Sequence, residues 1–394
     1  MTTNTKKIIP GKLARTAIYT SIAAALVTAP ITASAYNFKD SSGKVDMTIG
    51  GYAKLSMIYT DTDSGELTDV LARNIYDPKR TPVGNSDSHQ TLDMTARESR
   101  INFKAKTEQG GHKMGMVLEM DFLGTNDGNE VVTNGSSPRM RHFFFTFDNW
   151  LFGQTWSTFM DTAALAEAVD FLASPEGIAF IRQAQVRYTA GAIQIALENP
   201  ESWVTNSTNR DVNTIPDLTA NYKMKMDKGH LQFSGLVRQI AVDQGTVSTT
   251  EMGYGVGASG KIKVGSTDDV RFNLYYGDGM GRYTSLGLVK DGILVGNEIK
   301  TVKSTAATAA YRHVWNEKSS SNLIFSMADI DNPGGTAVTS PGENKSGSSI
   351  QINYLYRPIK QVSYGIMYLA GERETENGDD GKLSRIQAMA KYSF

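Results

Sequence analysis

Cysteine is absent from the 394 residues, so no disulfide holds this chain together. Long apolar runs are missing too. After the N-terminus nothing approaches the roughly 18 or more apolar residues of a spanning helix. Charge of one sign is also lacking: 40 Lys and Arg face 41 Asp and Glu, for a net −1. With no basic patch, nucleic acid is not expected as a partner. The five histidines (His89, His112, His142, His230 and His313) are scattered without metal-ligand spacing. His142 beside Arg141 is the one candidate for a hydrolytic site, and it lacks a matching constellation. No enzyme activity, metal or cofactor is expected.

One motif is a decoy. Gly255-Val256-Gly257-Ala258-Ser259-Gly260 matches GxGxxG, but a dinucleotide fingerprint needs a strand before it and a helix after it. Here Tyr254, Val256, Ala258, Ile262 and Val264 alternate straight through, which makes the glycines small positions of a single strand.

The N-terminus reads as an address. Lys6, Lys7, Lys12 and Arg15 form a basic region without acids, and an apolar stretch runs from Ala17 to Ile31. Ala33-Ser34-Ala35 then offers the small residues of a cleavage site, so residues 1–35 are expected to be a signal peptide. Tyr19, Thr20, Ser21 and Pro30 interrupt the stretch too often for a membrane anchor. Taking the leader's four bases from a net charge of −1 leaves about −5 for the mature chain.

What the mature chain has in abundance is alternation. In 112–122, Met114, Met116, Leu118, Met120 and Phe122 share one face, with Glu119 and Asp121 on the other. Such a pattern sets one face against an apolar phase and the other against water. It recurs at 48–60, 96–107, 112–123, 138–148, 150–156, 181–189, 192–199 and 216–226. Further runs fall at 229–241, 251–264, 269–278, 303–316, 320–330, 347–357, 361–373 and 384–394. Sixteen runs is the even number that single-chain bacterial barrels require. A mean hydropathy of -0.32 does not contradict this, because lumen-facing residues are polar.

Connectors alternate in length as well. Residues 108–111, 190–191, 227–228 and 264–268 are tight, whereas 61–95, 124–137, 200–215, 279–302 and 331–346 are long and polar. Short turns at one rim and long loops at the other belong to an up-and-down barrel rather than a soluble sandwich. The last run carries Ile386, Ala388, Ala390, Tyr392 and Phe394 on one face, so a terminal aromatic sits in the interfacial girdle. Such a terminus is also similar to the signal read by the barrel-assembly machinery. The expected fold is therefore all-β: a 16-stranded antiparallel transmembrane β-barrel over 36–394, in the bacterial outer membrane.

Between the fifth and sixth runs lies Gln154-Thr155-Trp156-Ser157-Thr158-Phe159-Met160-Asp161, leading to Ile181-Arg182-Gln183-Ala184-Gln185-Val186-Arg187-Tyr188. This resembles the region of trimeric porins around loop 3, which folds inward and narrows the pore. Ala96-Arg97-Glu98-Ser99-Arg100, Trp150 to Ser157, Phe159-Met160-Asp161, Arg182 to Tyr188 and Ala196-Leu197-Glu198-Asn199-Pro200 together resemble the DcaP-like, dicarboxylate-type porin subfamily. The resemblance implies a homotrimer in outer-membrane lipid that passes small anionic solutes, dicarboxylates among them. Relatives often carry a helical extension before the barrel; here about a dozen residues separate Tyr36 from the first run.

Selectivity in such a pore comes from its width and from charges at its narrowest point. Inward parity nominates Arg97, Arg100, Arg139, Arg141, Arg182 and Arg187, with Lys104, Arg238, Arg271 and Arg312 as further candidates. An arginine holds a carboxylate bidentately and stays charged. On the constriction loop, about 157–180, Asp161, Glu167, Asp170 and Glu176 supply acid for a transverse field. The Ala-rich 162–176 is expected to form a short helix there, held by the barrel wall. The function read from the sequence is an anion-preferring diffusion porin for small hydrophilic solutes. The alternative is a barrel with an enzymatic or adhesive role through its long loops.

Overall fold

The computed structural model describes residues 35–124, 130–173, 175–208, 211–334 and 340–394. The expected leader lies, but for Ala35, outside the described residues.

All sixteen alternating runs become strands of one closed antiparallel sheet. Its first half holds β1 (Tyr36–Lys39), β2 (Val45–Thr62), β3 (His89–Thr95), β4 (Arg100–Gln109), β5 (His112–Asp121), β6 (Arg139–Phe147), β7 (Trp150–Trp156), β8 (Arg182–Ala190) and β9 (Ile193–Glu198). After a two-residue strand β10 (Val204–Thr205) come β11 (Asp217–Met226), β12 (Gly229–Gln244), β13 (Val247–Val264) and β14 (Asp268–Asp278). A loop hairpin, β15 (Gly292–Val295) and β16 (Glu298–Thr301), precedes β17 (Lys303–Asn316), β18 (Ser319–Asp331), β19 (Asn344–Ile359), β20 (Val362–Thr375) and β21 (Asp380–Ser393).

The cylinder closes where β2 pairs with β21, from Tyr52↔Ser393 to Thr62↔Leu383. Beyond Phe394 the strand β1 takes over the same edge, Tyr36 opposite Ile49. No backbone edge faces lipid along this seam, as a membrane barrel requires.

Residues 61–95, read as one long loop from the sequence, contain β3. The second barrel strand is therefore longer than its alternating part. It is broken at Ala96-Arg97-Glu98-Ser99, where β2 passes from pairing with β3 to pairing with β4. The break turns Glu98 inward onto Lys54, at 2.7 Å. An interrupted period hides a strand from any test based on alternation.

The outward rows are the apolar ones: Leu55, Met57, Tyr59, Phe143, Phe145, Ile350, Ile352 and Ile386 are all exposed. In water this would be a liability; on a barrel it is the lipid face. Turns such as 110–111, 191–192 and 227–228 mark the periplasmic rim, and the long loops lie at the other end.

Three of those loops fold into the lumen. Loop 1 brings Leu67, Ala72 and Tyr76 against Val169, Leu369 and Leu383. Gly371 makes room for Tyr76: a Cβ there would lie 2.2 Å from its hydroxyl. Loop 3 buries Phe159, Met160 and Ala179 with Leu236, Tyr275, Met280 and Tyr283, the last two from the loop of residues 279–302. Gly177 passes so close to β17 that a Cβ would sit 2.0 Å from the Ala307 carbonyl oxygen. Among the described residues the helical content of loop 3 is two 3-10 turns, Thr162–Ala164 and Pro175–Gly177, where a short helix within 162–176 was expected. So short a segment takes its conformation from the wall it packs against.

Candidate functional site: the arginine wall and loop 3

The guanidinium groups gather on β4, β6 and β8. Arg139 clamps Asp121 with two hydrogen bonds of 2.9 and 2.8 Å. Arg141 donates to Glu119 and to Asp121, both at 2.8 Å. Arg100 lies 3.7 Å from Glu119. A β-bulge opposite Glu119 and Met120 lets β6 turn two successive residues, Arg141 and His142, into the barrel. His142 contacts the Thr155 hydroxyl at 3.0 Å, and its other ring nitrogen lies 4.0 Å from Glu119, a carboxylate already held by Arg141.

Loop 3 faces this wall with rings. The Phe171 ring lies 5.7 Å from the guanidinium carbons of Arg100 and Arg139, and 5.5 Å from that of Arg141. Trp156 sits 5.8 Å from Arg141 and 4.7 Å from Arg182. Phe180 joins the rings, 4.8 Å from Trp156 and 5.9 Å from Phe171. Cation–π contacts of this kind hold a guanidinium in place without using its N–H groups.

Arg182 has no carboxylate oxygen within 4.0 Å among the described residues, and one of its buried nitrogens lacks any hydrogen-bond partner. Arg187 likewise has no acid at that range; it donates to Gln185 at 2.9 Å and to the Trp156 carbonyl oxygen. Arg97 stands apart. It braces loop 2 through Glu130 at 3.4 Å and the Gly135 carbonyl.

The four acids of loop 3 have a different task from the one expected of them. Asp161 is buried and accepts from Lys223 at 2.8 Å, His230 at 2.6 Å and Ser259 at 3.1 Å. Burial pushes its carboxyl up, but the Lys223 and His230 hydrogen bonds outweigh it and hold it below the usual range. Glu167 meets Arg357 at 2.9 Å, Arg312 at 3.5 Å and Arg271 at 3.9 Å. Asp170 accepts the Tyr76 backbone N–H at 2.7 Å. Glu176 is fully buried and accepts from the hydroxyls of Tyr76 (2.7 Å) and Ser349 (2.9 Å). Burial raises its carboxyl above the usual value. These acids fasten loop 3 to β11–β13, to β14–β19 and to loop 1.

Arg238, also nominated from parity, is wholly buried between Asp217 and Asp291 and so serves structure. Arg271 and Arg312 share Asp269. Three lumen residues escaped nomination. Lys54 pairs with Glu98 and donates to the Val169 carbonyl at 2.7 Å. Lys391 lies 5.4 Å from the Tyr52 ring, which also holds Arg100 at 5.3 Å. Phe171 is the third. Inward parity was visible for both lysines; a ring pressed on three arginines has no sequence signature. Among the described residues no group of His, Asp or Glu is disposed to hold a metal ion.

A closed sixteen-stranded barrel with an inward loop beside a charged wall defines the class: a porin-type channel of the outer membrane. The chain belongs to the DcaP outer membrane protein family, whose model matches residues 67–394. The outer membrane channel DcaP of Acinetobacter baumannii has the same fold, with a TM-score of 0.76 and 25% identity over 91% of this chain and 99% of that one. OmpT of Vibrio cholerae (in-vitro folded) shares the fold at 10% identity and a TM-score of 0.53, covering 91% of this chain and 100% of its own. OmpF of Salmonella typhi, solved in complex with daunomycin, gives 11%, 0.51, 91% and 100%. No curated protein matches the chain. The family and fold are those of an outer-membrane channel.

Proposed function

We propose that this channel is a trimeric, anion-preferring diffusion porin for small carboxylates, dicarboxylates included, exported by the leader at 1–35. The observation that carries the reading is Arg182: an inward guanidinium, oriented by Trp156 and Phe180, with no carboxylate within 4.0 Å among the described residues. Arg182 is half-buried, and an arginine so placed without a carboxylate partner is available to a passing anion. Arg141 lies against the same Trp156 ring, so two cationic groups share one aromatic support. Arg141 is itself held by Glu119 and Asp121, but with Arg100 and Arg139 it gives the wall three cations against those two acids. While Arg182 takes one carboxylate, a second carboxylate on the same solute gains from the remaining positive field. Loop 3's acids do not offset the wall, since each is engaged by its anchors.

Reversal potentials in a planar bilayer under a salt gradient test the preference, and clear cation selectivity would sink it. Adding succinate, with acetate as the single-carboxylate control, tests the solute class. Succinate is expected to block chloride current at lower concentration than acetate.

A further inference from the structure

A second cation without an acid lies on the other side of loop 3 from Arg182. Arg182 opens β8 and follows loop 3 directly. Lys391 is near the periplasmic end of β21, because Val362, the first strand residue after the short turn 360–361, pairs with Tyr392. Loop 3 touches this wall nearer the external rim. There its Val169 carbonyl oxygen accepts from Lys54 at 2.7 Å and from Gln387, four residues before Lys391, at 3.5 Å.

Tyr52 joins the arginine wall to Lys391. It stands opposite Arg100 of β4, and the next inward residue of β2, Lys54, stands opposite Lys391 of β21. The Tyr52 ring lies 5.3 Å from the Arg100 guanidinium carbon and 5.4 Å from the Lys391 ammonium nitrogen. All three side chains are partly exposed. Among the described residues Lys391 has no carboxylate oxygen within 4.0 Å and makes no side-chain hydrogen bond, and the Tyr52 hydroxyl makes none either.

The neighbouring charges do not answer Lys391. Lys54 is held by Glu98 at 2.7 Å and Arg357 by Glu167 at 2.9 Å. Arg100 lies 3.7 Å from Glu119, which Arg141 already holds at 2.8 Å. An unpaired ammonium beside other cations is repelled by them, so packing does not account for it. The ring contact offsets part of that repulsion and leaves the three N–H donors of the ammonium unspent.

We propose that Tyr52 and Lys391 form a second carboxylate subsite, on the periplasmic side of loop 3. Lys391 supplies the charge, the Tyr52 hydroxyl donates a hydrogen bond, and Arg100 adds to the positive field. A carboxylate can offer one oxygen to each group, whereas chloride is a single atom. Tyr52 therefore favours carboxylates over chloride. The subsite rests on the carboxylate-porin reading given above.

The test is block of single-channel chloride current by citrate, added to one side at a time, with the full-length channel inserted in one orientation in a planar bilayer. Citrate is expected to block from both sides. Lys391→Gln should raise the blocking concentration about tenfold from the periplasmic side and change it less than about twofold from the external side. Lys391→Arg, which keeps the charge, should keep the block. Tyr52→Phe keeps the ring and loses only the donor, so periplasmic block should weaken about fivefold. Its chloride conductance should stay unchanged, which also shows that the variant is folded. Arg182→Gln should weaken block from the external side instead. Periplasmic block left unchanged by either Lys391→Gln or Tyr52→Phe, or weakened equally from both sides, overturns the subsite while the porin reading stands. A wild-type channel that citrate blocks from neither side overturns both.

Discussion

The Phe171 ring of loop 3 lies 5.5 Å from the guanidinium carbon of Arg141 on β6. With Arg100 and Arg139 each at 5.7 Å, one ring shares three cations. Each such contact contributes about 0.5–1 kcal/mol when exposed and more when water is excluded. The ring thus does two things at once: it draws the loop toward the arginines and it fills the space a solute would need. Phe171→Ala should raise single-channel conductance while the anion preference persists, because the guanidiniums stay tied to Glu119 and Asp121. Unchanged conductance in a planar bilayer would remove Phe171 from the constriction.

The arginines should not be equivalent. Arg139 is clamped to Asp121, whose side chain is fully buried. Arg139→Gln leaves that carboxylate with Arg141 alone, so its main expected effect is a lower Tm. Loss of one partner from a buried pair costs roughly 3–5 kcal/mol, and the remaining Arg141 bond softens that. Arg182 has no acid within 4.0 Å, so Arg182→Gln should leave Tm nearly unchanged and lower the anion-to-cation permeability ratio most of all. Reversal potentials and thermal melts of the two variants, measured side by side, separate the roles. Equal effects on both readouts would refute the distinction.

Why was the barrel legible and its site only partly so? Strands such as Met114 to Phe122 carry their environment in period two, because lipid and water enforce opposite chemistry on alternate residues. The count of sixteen followed from that alone. The break at Ala96–Ser99 left the count intact but hid β3, since the chain there leaves the ladder to aim Glu98 at Lys54. Parity also found the arginines, and put Glu119 and Asp121 on the same inward face, but not which arginines they hold. Whether an inward arginine is paired depends on cross-strand register and on the bulge at Arg141, and neither is visible in one strand. Loop 3 was harder still. Asp161 and Glu176 looked like pore charges, yet they lie under the loop because its shape follows from Phe159, Met160 and Tyr283 packing together.

Asp161 gives a direct measure of what holds that loop. Its carboxylate takes Lys223 and His230 from β11 and β12 at 2.8 and 2.6 Å. Asp161→Asn keeps the shape and removes the charge. Lys223 is a third exposed, so the loss falls below the full cost of a buried pair, at about 2 kcal/mol. That corresponds to about thirtyfold faster amide exchange where the loop opens locally. Hydrogen exchange over residues 159–165 reads this, with β12 amides as the unchanged reference. Uniform acceleration in both places would mean the barrel, and not the loop anchor, was damaged.

Glu176 sets the pH response of the same loop. Its carboxyl is fully buried, and burial raises its pKa above the ordinary 4.5, against the opposing hydrogen bonds from Tyr76 and Ser349. Folded loop 3 therefore binds the proton more tightly than the open loop does. For an acid shifted this way, the stabilisation is complete below about 4.5 and is lost as pH rises through the folded value. Loop 3 should accordingly be held more firmly at mildly acid pH than at neutral pH. Open-channel noise should increase as pH is raised. Glu176→Gln, which stays neutral, can accept from the Tyr76 hydroxyl through Oε1 and donate from Nε2 to the Ser349 hydroxyl oxygen, and should be quiet at both. Noise that rises with pH equally in the variant would assign the response to another group, of which Asp77 on loop 1, also shifted up by burial, is the nearest in sequence to Tyr76.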